Sequence, residues 1–431
     1  MKRFIQTFLL ILILTGIYHP ITANAEGNNR LQAVKEIPVV VIDPGHGGEN
    51  QGTLEGSVLE KDMNMITAMA MYDALRQYDG VEVYMTHTDD VDLSLKDRAT
   101  FALDKKADFL FSIHYNASEE HALFGSELWV PSKSPANNYG YQFGVEYLKN
   151  MSEEGLFVRG IKTRLNDKGL DYYGIIRECA NLGIPAVILE HCHVDESHDI
   201  GFCDTEEDMI LLGQKDAQAV ARYLGLSNKI TGEDYSDYKL IDCDGNAPIA
   251  STLRDATEPE FCTLEFLDAD YTETGILNAK ITAKDSDSPL MYYDFSIDGG
   301  ETYSARCVWP GSNTLTGEYD ETFTLSIVIP SDSKPTVSVR AYNMYDLCTE
   351  SNFYESPEIF LYGKEDTAAD IILPEESIPV DIIETPDVVQ SSGTLDSILF
   401  LLEILIVVLI CAGILYFIAH RLVQASDTYA N

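Results

Sequence analysis

Three apolar runs in this chain end in side chains that can hold a metal or move a proton. "VVVIDPGHGG" leads to His46, "FLFSIHYNA" contains His114, and "AVILEH" contains Glu190. In α/β sheets, functional groups gather just beyond the carboxyl ends of the strands. Three such ends on neighbouring strands would converge on one pocket. A fourth group, Glu60, opens the longest helical pattern, in "EGSVLEKDMNM". Ser57 lies three residues earlier, so a capping box would give Glu60 a structural task instead. Taken singly, His46 also reads as a turn histidine, His114 as a core histidine and Glu190 as a hydrogen-bonded strand end. Taken together, two neutral imidazoles and a carboxylate leave the fourth position of a zinc ion to water, as hydrolytic zinc sites require. A second carboxylate beside that water takes its proton and later returns it to the leaving amine. This division makes His46, Glu60 and His114 the ligands of one catalytic zinc, and Glu190 the base.

The densest polar stretch is "ILEHCHVDESHD", residues 188–199. Its His191, Cys192, His193 and His198 have no second ligand pair at the spacing of a structural zinc site. Three readings stay open: a second metal, substrate contacts, or a solvated loop. Strand alternation puts His191 and His193 on one side, with Glu190 and Cys192 on the other. Asn116 and Arg177 are candidate substrate-binding residues. Arg177 would meet a peptide carboxylate or, otherwise, form a surface salt bridge.

The elements that must position these groups follow from periodicity. Over residues 37–226, "IPVVVID", "VEVYMT", "ADFLFSIH", "SELWVP" and "IPAVILE" read as strands. They alternate with amphipathic helical patterns such as "EKDMNMITAMAMYDALRQY" and "EEDMILLGQKDAQAVARYLG". This predicts an α/β catalytic domain, with a mostly parallel, buried sheet flanked by helices. Between Val130 and Arg177 lie helical and Gly-rich stretches in which an inhibitory helix would look like any surface helix. Residues 236–363 switch to alternating apolar and polar positions rich in β-branched and aromatic types, with "DGG" as a hairpin signal. They predict an all-β sandwich module resembling immunoglobulin-like or fibronectin-like surface domains. Its function, as a glycan binder, a docking site for a protein partner or a spacer, is not written in the pattern.

The two ends read as export and anchoring. Residues 1–25 carry Lys2 and Arg3, an apolar run and Ala23-Asn24-Ala25, the pattern of a cleaved signal peptide. Residues 364–396 are acidic and dotted with proline, as a flexible stalk would be. Residues 397–420 are apolar over the length of a transmembrane helix, with 421–431 as a cytoplasmic tail. The expected location is therefore the cell membrane, single-pass, with the catalytic domain outside and facing the wall. Lys and Arg total 29 against 70 Asp and Glu, a net charge of −41. That excludes nucleic acid as a partner, because phosphate contacts need a basic surface. Of the eight cysteines, Cys243, Cys262, Cys307 and Cys348 fall in the β-rich half. They allow two disulfides in any of three pairings, or thiols in an anaerobic habitat.

Read in order, "VVIDPGHGGENQGT", "LEKDMNM", "VYMTHTDD", "LKDRATFAL", "ADFLFSIHYNA", "GSELWV" and "IPAVILE" resemble the motif series of the zinc-dependent N-acetylmuramoyl-L-alanine amidases, type 3. The resemblance covers about residues 37–226. It implies zinc ligands at His46, Glu60 and His114 and a catalytic glutamate at Glu190. It also implies peptidoglycan as substrate, cut between the lactyl group of N-acetylmuramic acid and L-alanine. The chain departs from the family at Thr86-His87, where Thr-Arg is usual, and in the segment after Glu190. Both departures bear on substrate choice. Two rival expectations remain: a decayed binding or scaffold protein, and a zinc amidase acting on another amide.

Overall fold

The computed structural model describes residues 37–55, 58–240 and 255–363. These belong to one compact unit. The expected signal peptide, stalk, membrane span and tail lie outside the described residues. Among the described residues, no helix is long and apolar enough to cross a membrane.

The catalytic half is built on a six-stranded sheet. In chain order its elements are β1 (Val39–Pro44), a short hairpin of β2 (Leu54–Glu55) and β3 (Val58–Leu59), α1 (Glu60–Leu75), β4 (Glu82–Met85), α2 (Leu95–Lys105) and β5 (Phe109–Asn116). Then come β6 (Ser126–Trp129), α3 (Ala136–Glu153), β7 (Val158–Lys162), α4 (Gly174–Asn181), β8 (Ala186–His193), α5 (Ser197–Ile200) and α6 (Glu206–Leu224). The sheet order is β4-β1-β5-β8-β6-β7. The three strands whose ends carry His46, His114 and Glu190 are thus adjacent. β1 is buried along its whole length, as expected of a continuous Val/Ile run covered by helices on both faces.

The sheet is mostly parallel, as expected, but mixed through one antiparallel pairing. β4, β1, β5 and β8 run parallel, but β6 pairs antiparallel with β8, and β7 follows β6. The cause is the connection. Residues 117–125 hold no crossover helix, and a parallel return needs one. β7 and α4 are also missing from the periodic reading. "FVRGIK" carries two cations and a glycine within six residues, which looks like a loop by pattern. The Val130–Arg177 region is integral to the fold, since α3 is buried along most of its length and packs on α6 and β7.

The second half forms two antiparallel sheets. One has the order β13-β10-β9, and the other β12-β11-β14-β15 with β16 also on β14. The strands are β9 (Phe261–Ala269), β10 (Ile276–Lys284), β11 (Leu290–Ser296), β12 (Cys307–Val308), β13 (Thr322–Val328), β14 (Thr336–Asn343), β15 (Cys348–Glu350) and β16 (Tyr354–Glu355). Inward residues of both sheets, including Leu264, Ile281, Leu325 and Val339, close on Trp309 in one core. All six cysteines among the described residues are free thiols.

The two halves are not beads on a string. Met291, Tyr292, Tyr342, Met344 and Tyr345 of the β-module lie in the same apolar cluster as the catalytic core. The Tyr292 hydroxyl donates to the Phe124 carbonyl, and Thr314 Oγ1 donates to the Val158 carbonyl at 3.1 Å.

Candidate active site

His46 sits in the loop after β1 with φ at +63°, a left-handed conformation uncommon for a residue with a Cβ. Arg98, from α2, holds it there. Its guanidinium donates to the His46 and Pro44 carbonyls and pairs with the buried Asp43 at 2.8 Å. Thr86 and Ser112 also donate to Asp43, so the end of β1 is fixed from two neighbouring strands. Asn50 Oδ1 accepts from His46 Nδ1 at 2.9 Å. This turns the other ring nitrogen, Nε2, toward Glu60 at 3.2 Å.

Glu60 begins α1, but it does not cap it. The N-cap is Leu59, with no side-chain cap. The first amides of the helix donate to the Thr53 and Gln51 carbonyls instead. The loop therefore does the capping and leaves the Glu60 carboxylate to face the cleft. That carboxylate is buried. It accepts from the Thr53 amide at 2.7 Å and contacts His114 Nδ1 at 2.9 Å. Burial alone would raise its pKa, yet the hydrogen bonds from His114 and His46 outweigh that and hold it well below the usual carboxylate range. For His46, burial disfavours the proton, but the bond to Glu60 outweighs it and the net shift is upward.

His46, Glu60 and His114 offer one donor atom each, all within 4.8 Å of one another. The two imidazoles meet edge to face, with ring centroids 5.0 Å apart. Two glycines leave room for this. A Cβ on Gly52 would lie 2.5 Å from Glu60 Oε2 and 2.6 Å from the His46 ring, and one on Gly45 would overlap the His114 imidazole. Two imidazoles and one carboxylate in such a cradle fit a zinc ion.

Glu190 lies beside His114 in the β5–β8 ladder. It is half-buried, and its Oε2 is enclosed with no hydrogen-bond partner among the described residues. Burial, with repulsion from Glu60 and Glu127, pushes its pKa well above the ordinary value. A carboxyl in that environment exchanges a proton far more readily near neutrality than an exposed one.

The polar stretch after Glu190 is neither a solvated loop nor a regular strand. A bulge sets Asn116 opposite His193, while His114 is opposite Glu190. One extra residue reverses the alternation, so His191 and His193 part company, against expectation. His191 is fully buried and points to the helical layer, where it contacts Asp216 at 2.9 Å and the His114 carbonyl at 3.1 Å. His193 takes the Glu190 side. Its Nδ1 donates to the Gly125 carbonyl at 3.1 Å, and its buried Nε2 has no partner among the described residues.

His193 lines a cavity of about 230 Å³, together with Asn116, Glu127, Lys162, Arg164 and Tyr345. Asn116 Nδ2 donates to Glu127 Oε1 at 3.0 Å, which places this expected contact residue on the cavity wall. Arg177 goes elsewhere. Its guanidinium donates to the Asp171 and Tyr172 carbonyls and ties down that turn.

Beside the cavity lies a buried ion cluster that sequence reading misses. Glu127 Oε2 accepts from Arg159 at 2.9 Å and from Lys162 at 2.7 Å. Arg159 continues to Tyr292 at 2.9 Å and Asp346 at 2.7 Å, both in the β-module. Burial would raise the Glu127 pKa, but Lys162 and Arg159 overcome it and hold the carboxylate ionised. Asn50 at four residues from His46, and the arginine of "LKDRATFAL", were the available signals for the supporting residues. Nothing local signals Glu127, Arg159 or Asp346.

Residues 40–222 match the N-acetylmuramoyl-L-alanine amidase family, Amidase_3. The chain is 29% identical over 189 residues to N-acetylmuramoyl-L-alanine amidase CwlM of Bacillus licheniformis, covering 44% of this chain and 69% of that protein. It is 29% identical over 161 residues to a sporulation-specific N-acetylmuramoyl-L-alanine amidase of Bacillus subtilis, covering 37% of this chain and 58% of the relative. Among solved structures, it is similar to the catalytic domain of the amidase CwlV from Bacillus (Paenibacillus) polymyxa var. colistinus. That match has 29% identity and a TM-score of 0.38, over 44% of this chain and 98% of the other.

Proposed function

Since residues 40–222 are a domain of the N-acetylmuramoyl-L-alanine amidase family, we propose that the protein is an exported zinc amidase of the cell wall. It hydrolyses the amide between the lactyl group of N-acetylmuramic acid and the L-alanine of the peptidoglycan stem. In this reading residues 397–420 anchor it to the membrane, with the catalytic domain outside. The observation that carries the proposal is the convergence of His46, Glu60 and His114 within 4.8 Å, with Glu190 directly opposite His114.

His46, Glu60 and His114 hold the metal. When bound there, zinc supplies Lewis-acid polarisation of the scissile carbonyl and lowers the pKa of water. The chain's own residues do the rest. Asn50 and Arg98 keep the His46 ring and backbone in place. Glu190 takes the proton of the attacking water and delivers it to the amide nitrogen as the bond breaks. The intact donor set supports a working enzyme over a decayed scaffold.

The test is mass spectrometry of peptidoglycan digested by the purified protein, paired with metal analysis. The expected products are L-alanine-terminated stems and glycan freed of peptide, from a protein holding one zinc. Glu190→Ala keeps the zinc and loses hydrolysis. Full activity in that variant, or cleavage at another amide, would sink the assignment.

A further inference from the structure

The β-module does not stop at bracing the catalytic half. Its Tyr345 and Asp346 line the cavity that Glu127 and His193 also wall. Glu127, on the cavity wall, is directly opposite Glu190 in the β6–β8 ladder, where facing side chains start about 5 Å apart. His193 stands three residues beyond Glu190 on the same strand. One wall of the cavity, Glu127, is therefore the direct neighbour of the proposed acid–base group.

Its chemistry is specific. Glu127 and Asp346 already neutralise Arg159, and Glu127 pairs with Lys162. Arg164 pairs with no carboxylate among the described residues, and its guanidinium lies 3.8 Å from the centre of the Tyr172 ring. The His193 ring, with Nδ1–H spent on Gly125, has a buried Nε2 with no hydrogen-bond partner among the described residues. A peptide backbone group reaching that nitrogen would give it the hydrogen bond it lacks. Trp129 and Tyr173, whose rings lie 4.8 Å apart, give one apolar wall. The space, about 230 Å³ and partly open to solvent, has room for a short peptide segment.

Resting on the amidase reading, we propose that this cavity is a stem-peptide subsite completed by the β-module. Tyr345 and Asp346 wall it, His193 meets a peptide backbone group, and Arg164 takes a free stem carboxylate. The module is then a specificity determinant of the enzyme rather than a spacer.

The test is kinetic, on the full chain. Three soluble substrates are compared: N-acetylmuramoyl-L-alanine, an N-acetylmuramoyl-tripeptide with free side-chain and terminal carboxylates, and the same tripeptide with those carboxylates amidated. The readout is the ratio of kcat/KM between substrates, which a partly misfolded preparation does not move. Arg164→Ala is expected to lower the free-to-amidated ratio about tenfold or more, the worth of one charge-assisted hydrogen bond. Tyr345→Ala is expected to lower the tripeptide-to-alanine ratio, chiefly through KM. Unchanged ratios in both variants overturn the subsite. Should the unaltered protein cleave none of the three, the amidase reading itself falls.

Discussion

Two of the buried charge clusters among the described residues are built on opposite principles. Around Glu60, a buried carboxylate gathers two imidazoles that sit close to the surface, in a cradle kept open by Gly45 and Gly52. Around Glu127, a buried carboxylate is closed off by Arg159 and Lys162, and all three are almost fully enclosed. The first cluster has its charges placed for an incoming cation. The second is already neutralised, and it spends its charges on holding a strand, a cavity wall and a second module together. The contrast teaches that burial of charge alone does not mark a catalytic centre. What distinguishes the proposed catalytic one is unfinished coordination: donor atoms that converge, and a neighbouring Glu190 oxygen with no hydrogen-bond partner among the described residues.

That comparison can be broken experimentally. Removing the acid–base group should be the largest effect on chemistry and the smallest on the fold. Glu190→Gln is expected to slow hydrolysis about 10²- to 10⁴-fold with the thermal unfolding midpoint nearly unchanged. A large drop in that midpoint would show Glu190 to be structural, like Glu127. Conversely, Glu127→Ala leaves Arg159 and Lys162 buried without their shared partner. It should cost about 3–5 kcal/mol of stability, read by urea unfolding, while zinc still binds. If that variant loses zinc but not stability, the two clusters have been assigned the wrong way round. Asn50→Ala frees the His46 ring to turn. Partners that orient metal ligands are worth about 10- to 100-fold in metal affinity, so competition with a chelator should show weaker zinc binding and an unaltered fold. Thr205→Ala serves as a remote comparison. Thr205 and Asp208 form a complete capping box on α6, and its loss should cost about 1 kcal/mol without affecting either cluster.

The same contrast explains what could be read before the structure. His46, His114 and Glu190 were legible because each follows an apolar run that can only be a buried strand, and strand ends are where sheets expose function. Glu60 was ambiguous, because a helix-capping glutamate and a ligand look alike in sequence. The Thr53 and Gln51 carbonyls, which cap the helix from the loop, remove the capping reading. Arg159 and Lys162 were illegible for a physical reason. A buried cation pays for its desolvation with partners distant in sequence, here Glu127 and Asp346, so no local periodicity records it. The antiparallel return of β6 and the bulge opposite Asn116 escaped for a similar reason. Each depends on a pairing register, and the bulge moved His193 to the face where it lines the cavity.

The shared packing of Tyr292 and Met344 with the catalytic core has a mechanical consequence. A hinge between the halves would have to pull Arg159 away from Tyr292 and Asp346, exposing matched charges one side at a time. The buried Arg159 contacts and the shared apolar packing both oppose such a motion. The packing therefore favours one bearing of the cleft relative to the β-module, and under the proposed function that bearing sets the direction from which a stem peptide approaches.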